Sequence, residues 1–342
     1  MSINAKELAR LLQVSPSAVS IALNGRPGIS PQTRERILAA AAEHGISRTA
    51  RQPQMAIRYI NLIIFKKHGQ VIGDTPFFSE LIESVTTAAA SLSYHIQLSY
   101  FYATQNLAEQ LKSINSTGCT GVILLATEMT EEDLPLLPQI KAPLVVLDNN
   151  VEAAGFDCVV INNVQAAMLA ASHLLAKGHR RIGHLCSSVD IMNFRERREG
   201  FMRAAAVFAD DPKSRIVTIP VDSTSDGAYR DMTHYLAKQP FLPQAFFADN
   251  DIIAIACIRA LKEAGYVIPR DISIIGFDDV PYARVVSPRL TTMHVPRDLM
   301  GRYAVNRLHE IISDPNPATL KIAINAWLKE GDSVNNIDES AR

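Results

Sequence analysis

Cysteine is scarce in this chain, and what there is stands apart. Cys119, Cys158, Cys186 and Cys257 form no CxxC pair, so no disulfide framework, zinc ribbon or redox dithiol can be read from them. They are expected to be buried or half-buried thiols. Long apolar runs are missing too, since no stretch of about 18 apolar residues exists to span a bilayer. The opening MSINAKELAR lacks the apolar core of an export signal, and the expected location is the cytoplasm. Catalytic signatures are equally absent. There is no HExxH, no GxSxG elbow and no GxxxxGK loop, and the 9 histidines are scattered rather than grouped with cysteines. The Asp278-Asp279 pair lacks a third aligned carboxylate or a nucleophile for acid–base or cation chemistry. Neither catalysis, a metal nor a cofactor is expected.

What is present is an ordinary globular composition, 47% hydrophobic and 20% charged over 342 residues, enough for two or three compact units. The net charge of −1 conceals a division. Residues 1–53 carry Lys6, Arg10, Arg26, Arg34, Arg36, Arg48 and Arg51 against Glu7, Glu35 and Glu43, or 7 − 3 = +4. The remainder carries 27 basic and 32 acidic residues, or −5. A basic head on an acidic body suits a polyanionic partner for the head alone.

Punctuation in the head defines three short helices. Asn4 with Glu7 three residues on makes a capping-box-like start, and Leu8, Leu11 and Leu12 follow at helical spacing. Ser15-Pro16 and Ser30-Pro31 repeat a cap and first-turn signal. The second helix turns Val19, Ala22 and Leu23 inward, and the third runs to His44 and stops at Gly45. Only about three residues separate the first two helices, which describes a helix-turn-helix. Such a unit lays its second helix in a major groove, presenting Pro16, Ser17, Ser20 and Ile21. The serines can bond bases or phosphates, whereas Ile21 can only pack on an apolar feature. A three-helix packing module without DNA satisfies the same caps.

From residue 57 short apolar runs alternate with helical stretches. Strands are expected at 59–65, 95–100, 121–125, 144–148, 158–161, 181–185, 215–220, 244–248 and 272–277. Helices such as 78–91, 165–177, 195–208, 251–264 and 297–312 fall between. That alternation predicts doubly wound parallel sheets, and 280 residues are too many for one, so two lobes are expected. Ligands in such sheets bind outside the carboxyl ends of the strands. Asp148-Asn149, Asn162-Asn163, Asn250-Asp251 and Asp278-Asp279 stand there. Carboxylates and amides at strand ends suit a neutral polyol. Arg197 can offer a forked donor, and Phe77 and Phe78 can stack on a ring. Taken singly, Asn162, Asp251 and Asp279 read as helix caps.

The stretch ELARLLQVSPSAVSIALNGRPGISPQTRERILAAAAEHG resembles the head of the lactose/galactose-repressor (LacI/GalR) family of transcription regulators. TPFFSELIESV, GHRRIGHL, NFRERREGF, FFADNDIIAIACIRAL and DISIIGFDDVPYARVVSPRLTTMHVPRDLMGRYAVNRL are similar to segments of the same family, so the likeness covers nearly the whole chain. It implies a ligand-controlled regulator, expected to be a repressor, with a helix-turn-helix head at 1–46 and an atypical hinge at 47–56. A periplasmic-binding-protein-like sensor of two doubly wound lobes then occupies 57–342. Crossings near 161, 291 and 322 give lobe 1 residues 57–160 and 292–322, and lobe 2 residues 161–291 and 323–342. The implied DNA-facing residues are Ser15, Ser17, Ser20, Ile21 and Asn24, with Arg34, Arg48 and Arg51. Ile21 departs from the polar or basic residue frequent at its position, which leaves the operator preference open.

The family's hinge segment PNxxARxL is altered here. Ala50-Arg51 remain, but Gln52-Pro53 stand where a minor-groove wedge is expected, leaving Met55 as the nearby candidate. Proline disfavours helix in the residue before it, so a shorter hinge helix is expected, with a flexible linker as the alternative. The resemblance carries ligand roles to Phe77, Asp148, Arg197, Asn250 and Asp278, extended to Phe78, Asn162 and Asn193. It implies double-stranded DNA with a near-palindromic site, a small-molecule effector of sugar type and a homodimer as partners. The helices at 78–91 and 251–264 resemble dimer faces. No leucine heptad follows residue 330, so a dimer rather than a tetramer is expected. The competing readings are a corepressor-activated regulator of non-sugar metabolism, and a cytoplasmic sugar-binding or sugar-processing protein whose head serves assembly.

Overall fold

The chain divides into two units, residues 1–57 and 58–342. The computed structural model describes residues 4–23, 27–44, 46, 58–73, 75–151, 155–207, 215–314 and 316–337. In the smaller unit α1 (Ala5–Leu11), α2 (Pro16–Leu23) and α3 (Pro31–Glu43) each begin on a side-chain cap. Asn4 Oδ1 accepts from the amides of Lys6 and Glu7, and Glu7 accepts from the Asn4 amide in return. Ser15 Oγ accepts from the Ala18 amide and Ser30 Oγ from the Thr33 amide. Each cap satisfies a helix-end donor that otherwise has no partner. Leu8, Val19, Ala22 and Ile37 form the core. Of the three leucines at helical spacing, Leu8 is buried and Leu12 packs beside it, whereas Leu11 is 60% exposed. A seven-residue helix has room for one i, i+4 pair on its inner face, and Leu11 lies off that face.

The larger unit holds two six-stranded sheets. The first contains β1 (Tyr59–Lys66), β2 (His95–Tyr102), β3 (Gly121–Leu125), β4 (Leu144–Leu147), β5 (Asp157–Ile161) and β11 (Lys321–Ile324), in the order β11-β5-β4-β3-β1-β2. Its helices are α4 (Phe77–Ser91), α5 (Leu107–Ser116) and α11 (Arg297–Ser313), with a 3-10 helix at Glu131–Gln139. The second contains β6 (Arg181–Ser187), β7 (Arg215–Val221), β8 (Ala245–Ala248), β9 (Ser273–Asp278), β10 (Thr291–His294) and β12 (Trp327–Lys329), in the order β12-β10-β9-β8-β6-β7. Its helices are α6 (Asn163–Ala176), α7 (Met192–Ala206), α8 (Ser225–Leu236), α9 (Asp251–Glu263) and α10 (Pro281–Val285). Parallel strands covered on both faces must be apolar on both. β1 shows this: Ile60, Leu62 and Ile64 join one core cluster, Ile63 and Phe65 another.

The two orders are the same pattern used twice. β1, β3 and β4 of the first lobe correspond to β6, β8 and β9 of the second, and the strand order reverses between β1 and β3 and between β6 and β8. Those reversals open the crevices in which doubly wound sheets bind ligands.

Two of the expected crossings move. β10 pairs in parallel with β9, Thr291 opposite Ile275, so the second crossing follows His294 rather than residue 291. β11 pairs with β5 through Ile324, so the third follows Ile324 rather than residue 322. The lobes are therefore 58–161 with 297–324, and 163–294 with 327–337, among the described residues. β10, β11 and β12 are three or four residues long, and β12, antiparallel to β10, follows β11 after only Asn325-Ala326. Strands this short lack the length by which an apolar run is read as a strand.

Candidate binding cleft and candidate nucleic-acid interface

Equivalent strand ends from the two lobes face one another and enclose a small cavity. Its walls are Val71, Thr75, Phe77 and Phe78 beyond β1, Thr127 beyond β3 and Asp148 beyond β4. Opposite stand Ile191, Asn193, Phe194 and Arg197 beyond β6, Asn250 beyond β8 and Asp278 at the end of β9. The space left is about 20 Å³, room for roughly one water. Asp148 and Asp278 occupy matching places in the two lobes, and both have left-handed backbone, φ 62° and 109°. Non-glycine residues hold that conformation only where their surroundings impose it, commonly at binding sites. Here it turns both carboxylates out of their sheets into the cleft.

The polar groups form one network. Thr127 Oγ1 donates to Asp148 Oδ2 at 2.6 Å, and Asn193 Nδ2 donates to Asp148 Oδ1 at 3.0 Å. Arg197 Nε donates to Asn163 Oδ1 at 2.9 Å and Nη1 to the Asp249 carbonyl at 2.5 Å. Its Nη2 lies 3.2 Å from Asp278 Oδ1, an oxygen in no well-directed hydrogen bond. The guanidinium is stacked 3.7 Å from the Phe277 ring centre. Asp249 is itself buried against His184, with Nε2 2.7 Å from its Oδ1. Burial pushes the Asp148 carboxyl up to about 6, against the pull of Thr127 and Arg197. Asp278 is also raised by burial, with Arg197 and Arg297 pulling the other way. Burial thus disfavours the ionised form of both groups, a desolvation cost that a donor-rich ligand offsets.

Seven of the eight sequence-derived ligand candidates line this one cavity: Phe77, Phe78, Asp148, Asn193, Arg197, Asn250 and Asp278. Asn162 does not. Its Nδ2 bonds Gln165 and Asn325 at the first and third crossings, and it makes no side-chain cap to α6. Asn163, one residue on and 1% exposed, is the inward amide that orients Arg197. The expected caps also shift, because Asn250 rather than Asp251 caps α9 through the Ile253 amide. Asp251 instead accepts from Val280 N and Thr292 Oγ1, and burial raises its carboxyl well above the ordinary range. Phe77 and Phe78 meet edge to face, centroids 5.1 Å apart, so they shape a wall rather than a stacking platform. Sequence reading missed Val71, Thr75, Thr127, Ile191 and Phe194. Thr127 stands two residues beyond β3, where the strand-end rule applies; Thr75 and the apolar Val71, Ile191 and Phe194 carry no such signal. Among the described residues no group of three or more His, Cys, Asp or Glu side chains is placed to hold a metal.

In the head, Ser15, Pro16, Ser17 and Ser20 are exposed along the start and outer face of α2. Ser15 Oγ and Ser17 Oγ are 2.8 Å apart. Ile21 is half-buried, its side-chain end turned toward Gly28. Arg34 is half-buried on α3. Asn24, Arg48, Arg51, Met55 and the whole hinge segment lie outside the described residues. Among the described residues no helix is long and apolar enough to cross a membrane.

A capped helix-turn-helix joined in one chain to a two-lobed α/β cleft defines a DNA-binding regulator that senses a small molecule. Residues 4–48 match the family of bacterial regulatory proteins of lacI type, and residues 171–334 match the periplasmic binding protein-like domain. The HTH-type transcriptional repressor PurR of Haemophilus influenzae (strain PittEE) is 30% identical over 320 residues, covering 90% of each chain. That of Mannheimia succiniciproducens is 28% identical over 339 residues, 97% of this chain and 98% of the relative. Two solved structures share the fold. A transcriptional regulator CelR–cellobiose complex is 23% identical with TM-score 0.71, covering 97% of this chain and 99% of that one. A lac repressor dimer bound to operator and the anti-inducer ONPF is 19% identical with TM-score 0.71, covering 98% and 100%. The chain belongs to the LacI family, and it is a DNA-binding transcription repressor regulated by effector binding.

Proposed function

We propose that this protein acts in the cytoplasm as a homodimer on a near-palindromic operator, and that an uncharged sugar or glycoside in the inter-lobe cleft sets its operator affinity. One observation carries the ligand class. Each Arg197 nitrogen already faces a protein partner, Asn163, Asp249 or Asp278, so the charged groups that most favour a newcomer are the acceptors Asp148 and Asp278. A ligand rich in hydroxyl donors and without negative charge satisfies them, whereas a phosphate is repelled. A relative by fold, the LacI family regulator from Enterococcus faecium with bound ribose (24% identical, TM-score 0.70), is a sugar complex, which agrees with that class.

On the DNA side the reading assigns base-edge or phosphate contacts to Ser15, Ser17, Ser20 and Asn24, and an apolar base contact to Ile21. It assigns phosphate or groove contacts to Arg34, Arg48 and Arg51. The four helix-presented positions of α2 and the +4 charge of the head support it. Anisotropy titration against duplexes selected from a random library tests the assignment. Binding should weaken steeply with salt and vanish when residues 1–55 are removed; binding indifferent to that truncation rejects it.

A second reading is favoured by the aromatic wall of Phe77, Phe78 and Phe194 and by relatives that carry the name PurR. In it a flat heterocycle with N–H donors acts as a corepressor. A thermal-shift screen over sugars, glycosides and nucleobases separates the two, since a ligand at 100 times its Kd adds about 2.7 kcal/mol.

A further inference from the structure

Arg297 opens α11, just after the chain crosses from β10 to the first lobe, and is 6% exposed. A guanidinium so buried must satisfy its donors locally. Nη1 donates to the Asp278 carbonyl, Nη2 to the Asp279 carbonyl at 3.3 Å and Nε to Glu80 Oε2 at 2.7 Å. The group also lies 5.4 Å from the Phe77 ring centre. It therefore grips the end of β9 in one lobe and the first turn of α4 in the other.

The carbonyls it holds belong to two successive left-handed residues, φ 109° at Asp278 and 52° at Asp279. Such a turn survives only when over-determined. Much of the determination comes from its own lobe. The Asp279 carboxylate receives His294 Nδ1 at 2.7 Å, Lys329 Nζ at 2.9 Å and Arg284 Nη2 at 3.1 Å. Asp251 accepts from the Val280 amide at 2.9 Å and from Thr292 Oγ1 at 2.6 Å. Among the described hydrogen bonds to residues 278–280, those from Arg297 alone come from a first-lobe helix. Its pair with Glu80, whose side chain is 40% exposed, adds little stability by itself; its value is that it ties the guanidinium to α4.

We propose that Arg297 is the positioning residue for the Asp278 carboxylate, and that through Glu80 it makes the first turn of α4, with Phe77 and Phe78, respond to what engages Asp278. This assignment rests on the reading that Asp278 receives the effector. The bond geometry needs a planar fork; lysine at 297 supplies one point charge and reaches one partner at a time.

The test is amide hydrogen exchange on the full chain, without ligand or DNA, read on peptides covering 277–281 and 78–83. Arg297→Met should speed both by about tenfold, with most other peptides within about twofold. Arg297→Lys should restore 78–83 through Glu80 and leave 277–281 fast. Glu80→Gln should speed 78–83 alone, by about threefold. Asp278→Asn should alter 78–83 by about threefold in the wild-type background and not in Arg297→Met. The proposal is overturned by wild-type protection of 277–281 in Arg297→Met or evenly faster exchange across the chain. It is overturned equally by full restoration with lysine, or by an Asp278→Asn effect on α4 that is absent or independent of Arg297. Should Arg297→Met not accumulate folded, the lysine and Glu80→Gln variants decide. Failure of the wild type to bind any selected duplex would sink the proposed function and leave this exchange result standing.

Discussion

A carboxylate buried without full compensation leaves a mark on the pH dependence of stability. Burial raises the Asp148 carboxyl from 3.8 to about 6, so the folded state holds its proton more tightly than the unfolded chain does. Stability from this group is full below pH 3.8 and is lost as pH rises through about 6, an effect of up to about 3 kcal/mol. Asp148→Asn should remove that slope. Its melting temperature relative to wild type should climb between pH 4 and pH 7, and a constant difference would contradict the assignment. Glu128 shows the opposite sign. Burial raises its carboxyl, but the hydrogen-bonded Gly69, Ile72 and Val71 amides and the nearby His68 outweigh burial and bring it below 4.5. Five backbone amides, of Lys67, His68, Gly69, Val71 and Ile72, donate to it. They fix the loop that leads from β1 to the cleft wall. Its contribution is present above pH 4.5 and lost as pH falls through the lower folded value. Glu128→Gln turns an amide N–H₂ toward donors and should cost roughly 3 kcal/mol, measured as a drop in melting temperature at pH 7.

At the scale of elements, the chain was most legible where physics is repetitive. Short apolar runs between helical stretches announced β1 to β9, caps announced the head, and the strand-end rule alone brought Asp148, Asn250 and Asp278 to one cavity. It failed where a choice of one residue matters. Asn162 and Asn163 are the same residue type at one strand end, and only the path of the crossing chain decides which faces inward. The two strands β10 and β11 hid their crossings because four residues are too few to show a strand pattern. The repeated use of β1, β3 and β4 as β6, β8 and β9 left no trace in sequence, since backbone topology is shared while side chains differ. Helix crossings were also hidden. A Cβ on Gly301 of α11 would stand 2.3 Å from Ser84 Oγ and 2.7 Å from Val85 N of α4, so glycine sets how closely these helices approach. Gly301→Ala should cost about 1–3 kcal/mol through overpacking. It should also weaken effector binding, because α4 carries Phe77 and Phe78. Unchanged melting and unchanged affinity would show that the helices part freely.

For the molecule as a whole, the basic head and the acceptor-lined cleft are remote in sequence yet serve one equilibrium. A ligand alters duplex affinity only as far as it favours one lobe arrangement over another. The single tryptophan, Trp327, begins β12 just after the third crossing, its ring centre 4.3 Å from that of His294 in the same sheet. The decisive measurement is anisotropy of a selected duplex titrated with the full-length protein, with and without the neutral sugar that raises its melting temperature most. Wild type should change its Kd by about 5- to 150-fold on adding the sugar, while Asp278→Ala should bind the duplex as tightly as unliganded wild type and ignore the sugar. An identical wild-type Kd in both conditions, or an equal response from Asp278→Ala, would contradict the account.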